Sequence, residues 1–119
     1  MWLPKSGGGD KDELQGGLDA LYVADGQTLA QGVTTPMHLG SFYDAMQHLM
    51  QRYEGDIHPG DVYMINDPYA GGTHFSDVRI VRPIFVGDEV IAYSQSNGHW
   101  ADLGGRVPGS FDIRTRDMF

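Results

Sequence analysis

Two short histidine and aspartate patterns are the part of this sequence best suited to chemistry. His74 is followed three residues later by Asp77, and the same spacing recurs at His99 and Asp102. Neutral imidazole and carboxylate groups together suit divalent ions such as Mn, Fe or Zn, and three protein ligands leave coordination positions open for water or substrate. The same residue types are also common at turns, where they hydrogen-bond backbone amides. The spacing alone leaves both interpretations open.

Each pattern lies in a glycine-rich segment beside a predicted strand. In segment 66–77, two consecutive glycines permit tight turns that bring Asp67, His74 and Asp77 towards one another. Segment 98–105 combines His, Asp and two glycines in the same way. The sequence therefore predicts a site built from two loops.

Strand pairing is needed to join the two segments. Strands are predicted at Val78 to Phe85 and at Glu89 to Gln95, with a turn at Gly87-Asp88 between them. Similar numbers of residues separate this turn from His74 and from His99, and antiparallel strands pair residues that are equidistant from their turn. We therefore expect the two imidazoles to lie close together.

One amphipathic helix is predicted, over Ser41 to Glu54. Ser41 is placed to cap its start, Asp44 to complete a capping box and Gly55 to end it. The apolar positions recur at spacings of three and four, which places on one face Phe42, Ala45, Met46, Leu49, Met50 and Tyr53.

The other elements are strands and turns. Asp25-Gly26 between two short apolar runs predicts a β-hairpin, and Val62 to Ile65 predicts a further strand. Pro83 within a predicted strand indicates a sheet edge or a bulge. Because the strands do not alternate with helices, the predicted fold class is α+β, with a mainly antiparallel sheet and one packed amphipathic helix.

Composition excludes several classes of partner and site. The formal net charge of −8 argues against nucleic acid or an anionic membrane surface, because both require a basic face. The absence of cysteine excludes disulfides and thiolate metal sites. No apolar segment reaches membrane-spanning length, so a cytoplasmic location is expected. The glycine-rich and charged residues 1–18 are predicted to be a flexible lead-in, followed by one partial domain over 19–119.

The remaining histidines differ in how well they suit a functional site. His48 lies off the apolar stripe and His58 precedes a Pro-Gly turn, so both are interpreted as solvated side chains. His38 lies between Pro36 and Gly40, where a loop could either pack it or present it to a site.

Several longer motifs occur in order along the chain. They are Ala24-Asp25-Gly26 with Leu29-Ala30-Gln31, Met37-His38-Leu39-Gly40-Ser41, Pro59-Gly60-Asp61-Val62, Asn66-Asp67-Pro68-Tyr69-Ala70-Gly71-Gly72-Thr73-His74 with Asp77, His99-Trp100-Ala101-Asp102-Leu103-Gly104-Gly105 and Val107-Pro108-Gly109-Ser110. Through them residues 19–119 resemble the hydantoinase B/oxoprolinase family, which includes subunits of N-methylhydantoinase and of acetone and acetophenone carboxylases, and part of 5-oxoprolinase.

This resemblance implies a division of labour. Family members use ATP on a separate hydantoinase A-type subunit or domain to phosphorylate a carbonyl, and the B-type part holds a metal site where the activated intermediate is hydrolysed or carboxylated. By resemblance, His74, Asp77 and His99 match the metal ligands. Asp67 and Asp102 match residues that orient ligands or substrate, and His38 is a further candidate for that role. The chain itself contains no glycine-lysine loop of the P-loop kind.

Two departures limit what is carried over. Trp100 stands where many relatives have a second histidine, and family chains are several times longer. The chain therefore resembles an N-terminal-region fragment of a larger catalytic subunit, and we expect it to be only marginally stable alone, with the helix stripe partly uncovered. Three functions remain open: an ATP-dependent hydrolase of cyclic amides, a ketone carboxylase subunit, and a truncated product without catalysis.

Overall fold

The computed structural model describes residues 18–32, 36–100 and 103, and over these it shows one helix packed on a five-stranded sheet. All neighbouring strands are antiparallel, in the order β2-β1-β5-β4-β3, so the predicted α+β class is confirmed. The elements are β1 (Leu18–Val23), β2 (Thr28–Gln31), α1 (Pro36–Arg52), β3 (Tyr63–Ile65), a 3₁₀ turn (Pro68–Ala70), β4 (Asp77–Val86) and β5 (Glu89–His99).

The first hairpin forms where the sequence predicted it. β1 and β2 pair around a turn in which Gly26 adopts a φ of +81°, a conformation that side chains disfavour. The Asp25 carboxylate accepts a hydrogen bond from the Gln27 amide at 3.0 Å, which closes the turn. Of the predicted lead-in 1–18, residues 1–17 lie outside the described part of the chain, and Leu18 is the first residue of β1.

The β4–β5 hairpin is longer than the sequence indicated. β5 continues past Gln95 to His99, and the pairing runs from Val86 opposite Glu89 to Asp77 opposite His99. Pro83 lies beyond the part of β4 that pairs with β3, and a register shift follows it at Ile84 and Phe85. Both features that a strand proline indicated, a free edge and a bulge, are therefore present.

The helix begins earlier than predicted. It starts at Pro36, a residue favoured in a first helical turn because its φ is already helical and it lacks an N–H, and it ends at Arg52. Ser41 is consequently inside the helix, so the predicted cap at Ser41 and capping box with Asp44 are wrong. The Ser41 hydroxyl instead accepts a hydrogen bond from Nη2 of Arg79 at 2.5 Å.

The apolar stripe of α1 packs on β1, β4 and β5. Phe42, Met46 and Leu49 are at most 2% exposed, whereas Met50 and Tyr53 are only partly buried, so the expected lack of cover does not extend to the centre of the stripe. Exposed apolar side chains lie elsewhere, as at Val86 and Ile91 beside the β4–β5 turn. Among the described residues, no helix has the length and hydropathy needed to cross a membrane.

Polar side chains continue the helix-facing side of the sheet towards one end. On β4, Asp77 and Arg79 project to this side and are fully buried, and on β5, Gln95 and Asn97 are also buried. The Tyr22 hydroxyl donates to Oε1 of Gln95 at 3.1 Å. A buried polar row thus connects the apolar core to the end of the sheet where Asp77 and His99 pair.

Candidate metal centre

The site residues meet at the open end of the β4–β5 hairpin. Asp77, the first residue of β4, lies directly opposite His99, the last residue of β5. Side chains of an antiparallel pair project to the same face, so the carboxylate and this imidazole are neighbours. His74 arrives from the preceding loop and is not itself in the ladder. Antiparallel pairing does bring the two histidines together, with Asp77 as the residue paired across the strands.

One buried carboxylate joins the two imidazoles. Nδ1 of His74 lies 2.7 Å from Oδ2 of Asp77, and Nδ1 of His99 lies 2.7 Å from Oδ1 of the same side chain. The two rings are 6.0 Å apart between centroids and nearly perpendicular, at 86°. Asp77 is fully buried, whereas each imidazole side chain is 46% exposed. The cluster is therefore anchored on the protein side and open towards solvent.

Local backbone and hydroxyl donors complete the surroundings of Asp77. Its Oδ2 accepts a hydrogen bond from the His74 amide at 3.1 Å and another from the Thr73 hydroxyl. The Asp77 amide in turn donates to the His74 carbonyl at 3.1 Å. A buried carboxylate is stable as an anion only when such donors replace its lost hydration. Thr73 is thus a site residue that the sequence analysis missed, although it stands beside His74 in the motif.

The loop before the site is shaped by Asp67. Its carboxylate accepts from the Tyr69 amide at 2.8 Å and so caps the 3₁₀ turn that begins at Pro68. Its carbonyl accepts from the amides of Ala70 and Gly72, each at 3.1 Å. Asp67 is exposed and lies outside the three-residue cluster, so in this structure its side chain organises the loop backbone.

The loop then approaches α1 closely at Gly71. This residue has a φ of +83°, and a Cβ added to it would lie 2.4 Å from the amide nitrogen of Ala45. Only glycine fits both the backbone angle and this distance. The close approach fixes the segment that leads to Thr73 and His74 against the helix.

The other predicted residues are not part of the described cluster. Asp102 lies outside the described residues, and His38 falls in α1 with a side chain that is likewise outside the description. His48 is exposed on α1, as predicted. His58 is also exposed; its amide donates to Asp61, and that hydrogen bond, with one from Tyr63, holds the pKa of the Asp61 carboxyl below its ordinary value.

The donor set fits a divalent ion. One ligand atom from each of His74, Asp77 and His99 can be chosen so that all three lie within 4.8 Å of one another. Ligand atoms bound to one ion at ~2.1 Å lie roughly 3–4 Å apart, so the half-exposed imidazoles would have to rotate to place all three ligands around it. Two imidazoles and one carboxylate suit Mn, Fe or Zn, and three ligands leave room for water or substrate.

Comparison with known proteins places the chain in a family. The family model for hydantoinase B/oxoprolinase matches residues 18–119. The chain is 36% identical over 101 residues to the 5-oxoprolinase of Saccharomyces cerevisiae, covering 84% of this chain and 8% of that protein. It is 31% identical over 101 residues to the caprolactamase subunit beta of Pseudomonas jessenii, covering 85% of this chain and 17% of that one.

Solved structures show the same fold. The ATP-dependent caprolactamase from Pseudomonas jessenii superposes with a TM-score of 0.76 at 30% identity, over 83% of this chain and 18% of the other. A nucleotide-free acetone carboxylase superposes with a TM-score of 0.71 at 29% identity, over 82% of this chain and 13% of the other. The chain thus spans less than a fifth of the length of each of these relatives. The family model matches the chain from Leu18 to Phe119, and the chain shares its fold with the caprolactamase and the acetone carboxylase. The chain therefore belongs to the hydantoinase B/oxoprolinase family.

Proposed function

We propose that this chain is part of the metal-binding catalytic subunit of an ATP-dependent hydrolase of cyclic amides, with His74, Asp77 and His99 as ligands of one divalent ion. The observation that carries the proposal is the contact of both imidazoles with the two oxygens of one buried carboxylate. Family membership supports it, because the matched relatives include a 5-oxoprolinase and a caprolactamase. The ion is Mn, Fe or Zn.

The chain's own groups supply a preorganised, open site. An ion held there would polarise a carbonyl and activate water. Asp77 anchors the cluster through its burial and its hydrogen bonds from Thr73 and the His74 amide. The half-exposed His74 and His99 leave the solvent side accessible to a small substrate. Asp67, Asp102 and His38 remain the candidates for orienting that substrate.

Ion binding at this site competes with protons. Coordination through Nδ1 requires a lone pair on that nitrogen, so the proton of a neutral imidazole would be carried by Nε2. Because a protonated imidazole offers no lone pair, affinity for the ion should fall as the medium becomes more acidic. Isothermal titration of Mn²⁺ in two buffers of different ionisation enthalpy measures the number of protons released on binding.

ATP would be bound elsewhere in the complex. The sequence contains no P-loop, and the caprolactamase and the acetone carboxylase with the same fold are both described as ATP-dependent. We assign ATP to a hydantoinase A-type partner subunit or domain, which activates the carbonyl before it reaches this site. A cytoplasmic location suits a reaction that consumes ATP.

A carboxylase subunit is the second candidate function. The superposition on acetone carboxylase favours it, at a TM-score close to that of caprolactamase. The same metal site would then join an activated ketone carbon to activated bicarbonate. A third possibility is a product that retains the site without catalysis, and the activity assays below separate it from the other two.

Metal analysis tests the ligand assignment. The full chain is loaded with Mn²⁺, desalted and assayed for bound metal, beside His74→Ala and His99→Ala. His48→Ala is the matched control, because His48 is an exposed histidine of the same protein remote in sequence from the site motif. We expect one ion per chain in wild type and control and a large loss in both site variants. Equal metal content in all four proteins would overturn the assignment.

Activity assays separate the candidate functions. With an A-type partner and ATP, ring opening of a cyclic amide that depends on His74 and His99 indicates the hydrolase. Incorporation of labelled bicarbonate into a ketone indicates the carboxylase. Metal binding without either activity in the reconstituted complex indicates a product that retains the site without catalysis.

A further inference from the structure

Arg79 is the largest fully buried side chain in the described part of the molecule, and the proposed metal site does not use it directly. It lies two residues after Asp77 on β4 and faces the same side of the sheet. Its partner across the β4–β5 ladder is Asn97, and this pair lies two positions along the ladder from Asp77 and His99. A guanidinium in the interior costs free energy unless it is well bonded, so its contacts reveal what it holds.

The guanidinium bonds two separate segments. Nη1 donates to the Gly71 carbonyl at 2.7 Å and to the Ser41 carbonyl at 2.8 Å, while Nη2 donates to the Ser41 hydroxyl at 2.5 Å. Its Cζ lies 5.1 Å from the centre of the Phe42 ring, within range of a cation–π interaction. One side chain thus ties the site loop and helix α1 to the strand that begins with Asp77.

The steric contact at Gly71 is independent evidence that loop and helix are held together. Because a Cβ there would meet the Ala45 backbone at 2.4 Å, the loop and the helix are in close contact at this point. Gly71 is two residues before Thr73 and three before His74, both of which contact the Asp77 carboxylate. A shift of the loop at Gly71 would therefore be transmitted to these contacts.

The bonds of Arg79 are made by its two terminal nitrogens. Nη1 bonds both the loop and the helix, and Nη2 bonds the helix alone. Arg79 Nε has no hydrogen-bond partner among the described residues.

We propose that Arg79 is a positioning residue for the metal centre: it locks the loop at Gly71 to helix α1 and so sets the placement of Thr73 and His74 around Asp77. The inference rests on the proposed function for its meaning in catalysis. Arg79 does not touch the ion; its effect is on the geometry in which the ligands are presented.

The test measures Mn²⁺ affinity of the full chain with Arg79→Met and Arg79→Lys, beside Tyr22→Phe. Tyr22 is an equally buried polar group whose hydroxyl bonds Phe42 and Gln95 and not the loop, so its variant is the control for loss of a buried hydrogen bond in the core. Loss of a group that hydrogen-bonds a metal ligand typically weakens metal binding about 10- to 100-fold; Arg79 acts one contact further out, so we expect about tenfold for Arg79→Met, the lower end of that range. Arg79→Lys should restore part of the affinity, since an ammonium can still bond a carbonyl. Tyr22→Phe should bind Mn²⁺ with an affinity close to that of wild type.

Two further measurements distinguish a positioning role from misfolding of the variant, and one of them does not depend on metal binding. Co²⁺ absorption reports whether the coordination geometry changes, which a purely structural role would leave alone. In the metal-free protein, a nuclear Overhauser contact between the His74 and His99 rings should be present in wild type and lost in Arg79→Met, whose sheet resonances persist. If Arg79→Met does not fold, Ser41→Ala removes one acceptor of the guanidinium and should weaken binding in the same direction, to a smaller extent.

The outcomes are distinct. A folded Arg79→Met with wild-type Mn²⁺ affinity and an intact ring contact overturns the positioning role while leaving the metal site standing. A wild-type chain that binds no Mn²⁺ through His74 and His99 overturns the proposed function, and the ring contact then decides whether Arg79 positions the cluster. Equal losses in Arg79→Met and Tyr22→Phe would assign the effect to general destabilisation and overturn the proposal.

Discussion

Asp77 is the residue on which the site depends, because its buried carboxylate is shared by two imidazoles, a backbone amide and a hydroxyl. The donors make its negative charge tolerable in the interior, and they also fix its orientation. Each donor therefore contributes both to stability and to the placement of the cluster. Single substitutions around Asp77 can be used to separate these two contributions.

Removal of the Thr73 hydroxyl should weaken both the stability of the fold and the placement of the cluster. Thr73→Val keeps the shape of the side chain and deletes the donor to Oδ2 of Asp77, which we expect to cost about 1–3 kcal/mol of unfolding free energy. It should also lower Mn²⁺ affinity, because the carboxylate loses a restraint. Urea unfolding and metal titration measure the two effects. Thr73→Ser retains the hydroxyl and serves as the control; equal behaviour of the two variants would contradict the assigned role.

Tyr22 predicts how stability depends on alkaline pH. Burial raises its pKa to about 12, with Arg79 opposing the shift, whereas in the unfolded chain the phenol ionises near pH 10. Between these values the folded state binds more protons, so the stabilisation is complete below about pH 10 and is lost as the pH rises towards 12.

Tyr22→Phe should therefore show a shallower loss of stability above about pH 10 than wild type, although it is less stable at neutral pH. Denaturant unfolding at a series of pH values measures the slopes. Burial also raises the pKa of Tyr93, so some alkaline loss remains in the variant. Identical slopes for the two proteins would show that Tyr22 does not keep its proton in the folded state.

At the scale of the elements, the site is a junction of three pieces: the β4–β5 ladder supplies Asp77 and His99, the preceding loop supplies Thr73 and His74, and α1 is the surface on which that loop rests. The ladder positions its pair through backbone hydrogen bonds. The loop has fewer such bonds and depends on contact with α1. We therefore expect the loop to be the more sensitive part of the site.

Gly71→Ala tests this contact. The variant suffers both from left-handed backbone strain and from a Cβ placed 2.4 Å from Ala45 nitrogen, so the loop must move off the helix. Gly87→Ala is a matched control, because Gly87 has a φ of +62° but no atom within 4 Å of an added Cβ. Strain alone costs about 1 kcal/mol, and the clash should add to it.

Urea unfolding should show a larger destabilisation for Gly71→Ala than for Gly87→Ala, and Mn²⁺ affinity should fall in the first variant alone. The sheet should persist in both, as circular dichroism can verify. Equal destabilisation of the two variants, with unchanged metal affinity, would mean that the loop does not depend on its approach to α1.

For the whole molecule, the described residues form a sheet that is covered by a helix on one side and that carries exposed apolar side chains. They include Met64, Val86 and Ile91, which are 66%, 64% and 46% exposed. Backbone ordering costs roughly 1–2 kcal/mol per residue, so a chain that leaves such surface in water has little margin. The relatives are many times longer, so most of their residues lie outside the matched part and are available to contact it.

We expect the isolated chain to unfold at modest temperature and to bind a hydrophobic dye while folded. Val86→Lys combined with Ile91→Lys should reduce dye binding with little change in unfolding midpoint, because both positions are exposed beside the β4–β5 turn. Fluorescence titration and thermal unfolding measure these effects. A sharp transition at high temperature with no dye binding in wild type would contradict the expectation.

Local sequence determined most of the elements and the chemistry of the candidate site. The Asp25-Gly26 turn, the β4–β5 hairpin and the apolar spacing of α1 are encoded within short stretches, because turn angles and side-chain periodicity are local properties. His74 and Asp77 are only three residues apart, so local sequence also brings them together. The family motifs added the expected ligand set, which a bare His-x-x-Asp spacing leaves ambiguous.

Tertiary structure decided which side chains of separate elements contact one another. Periodicity shows that Asp77 and Arg79 share one side of β4. Only the packing of α1 on that side buries Arg79 and lets it hydrogen-bond both the helix and the loop. Counting from the turn brought His99 near His74, whereas the actual register pairs His99 with Asp77. Helix α1 likewise includes Ser41 as an internal acceptor. These features depend on contacts between residues distant in sequence, and their energies are set by burial and distance, which no local pattern contains.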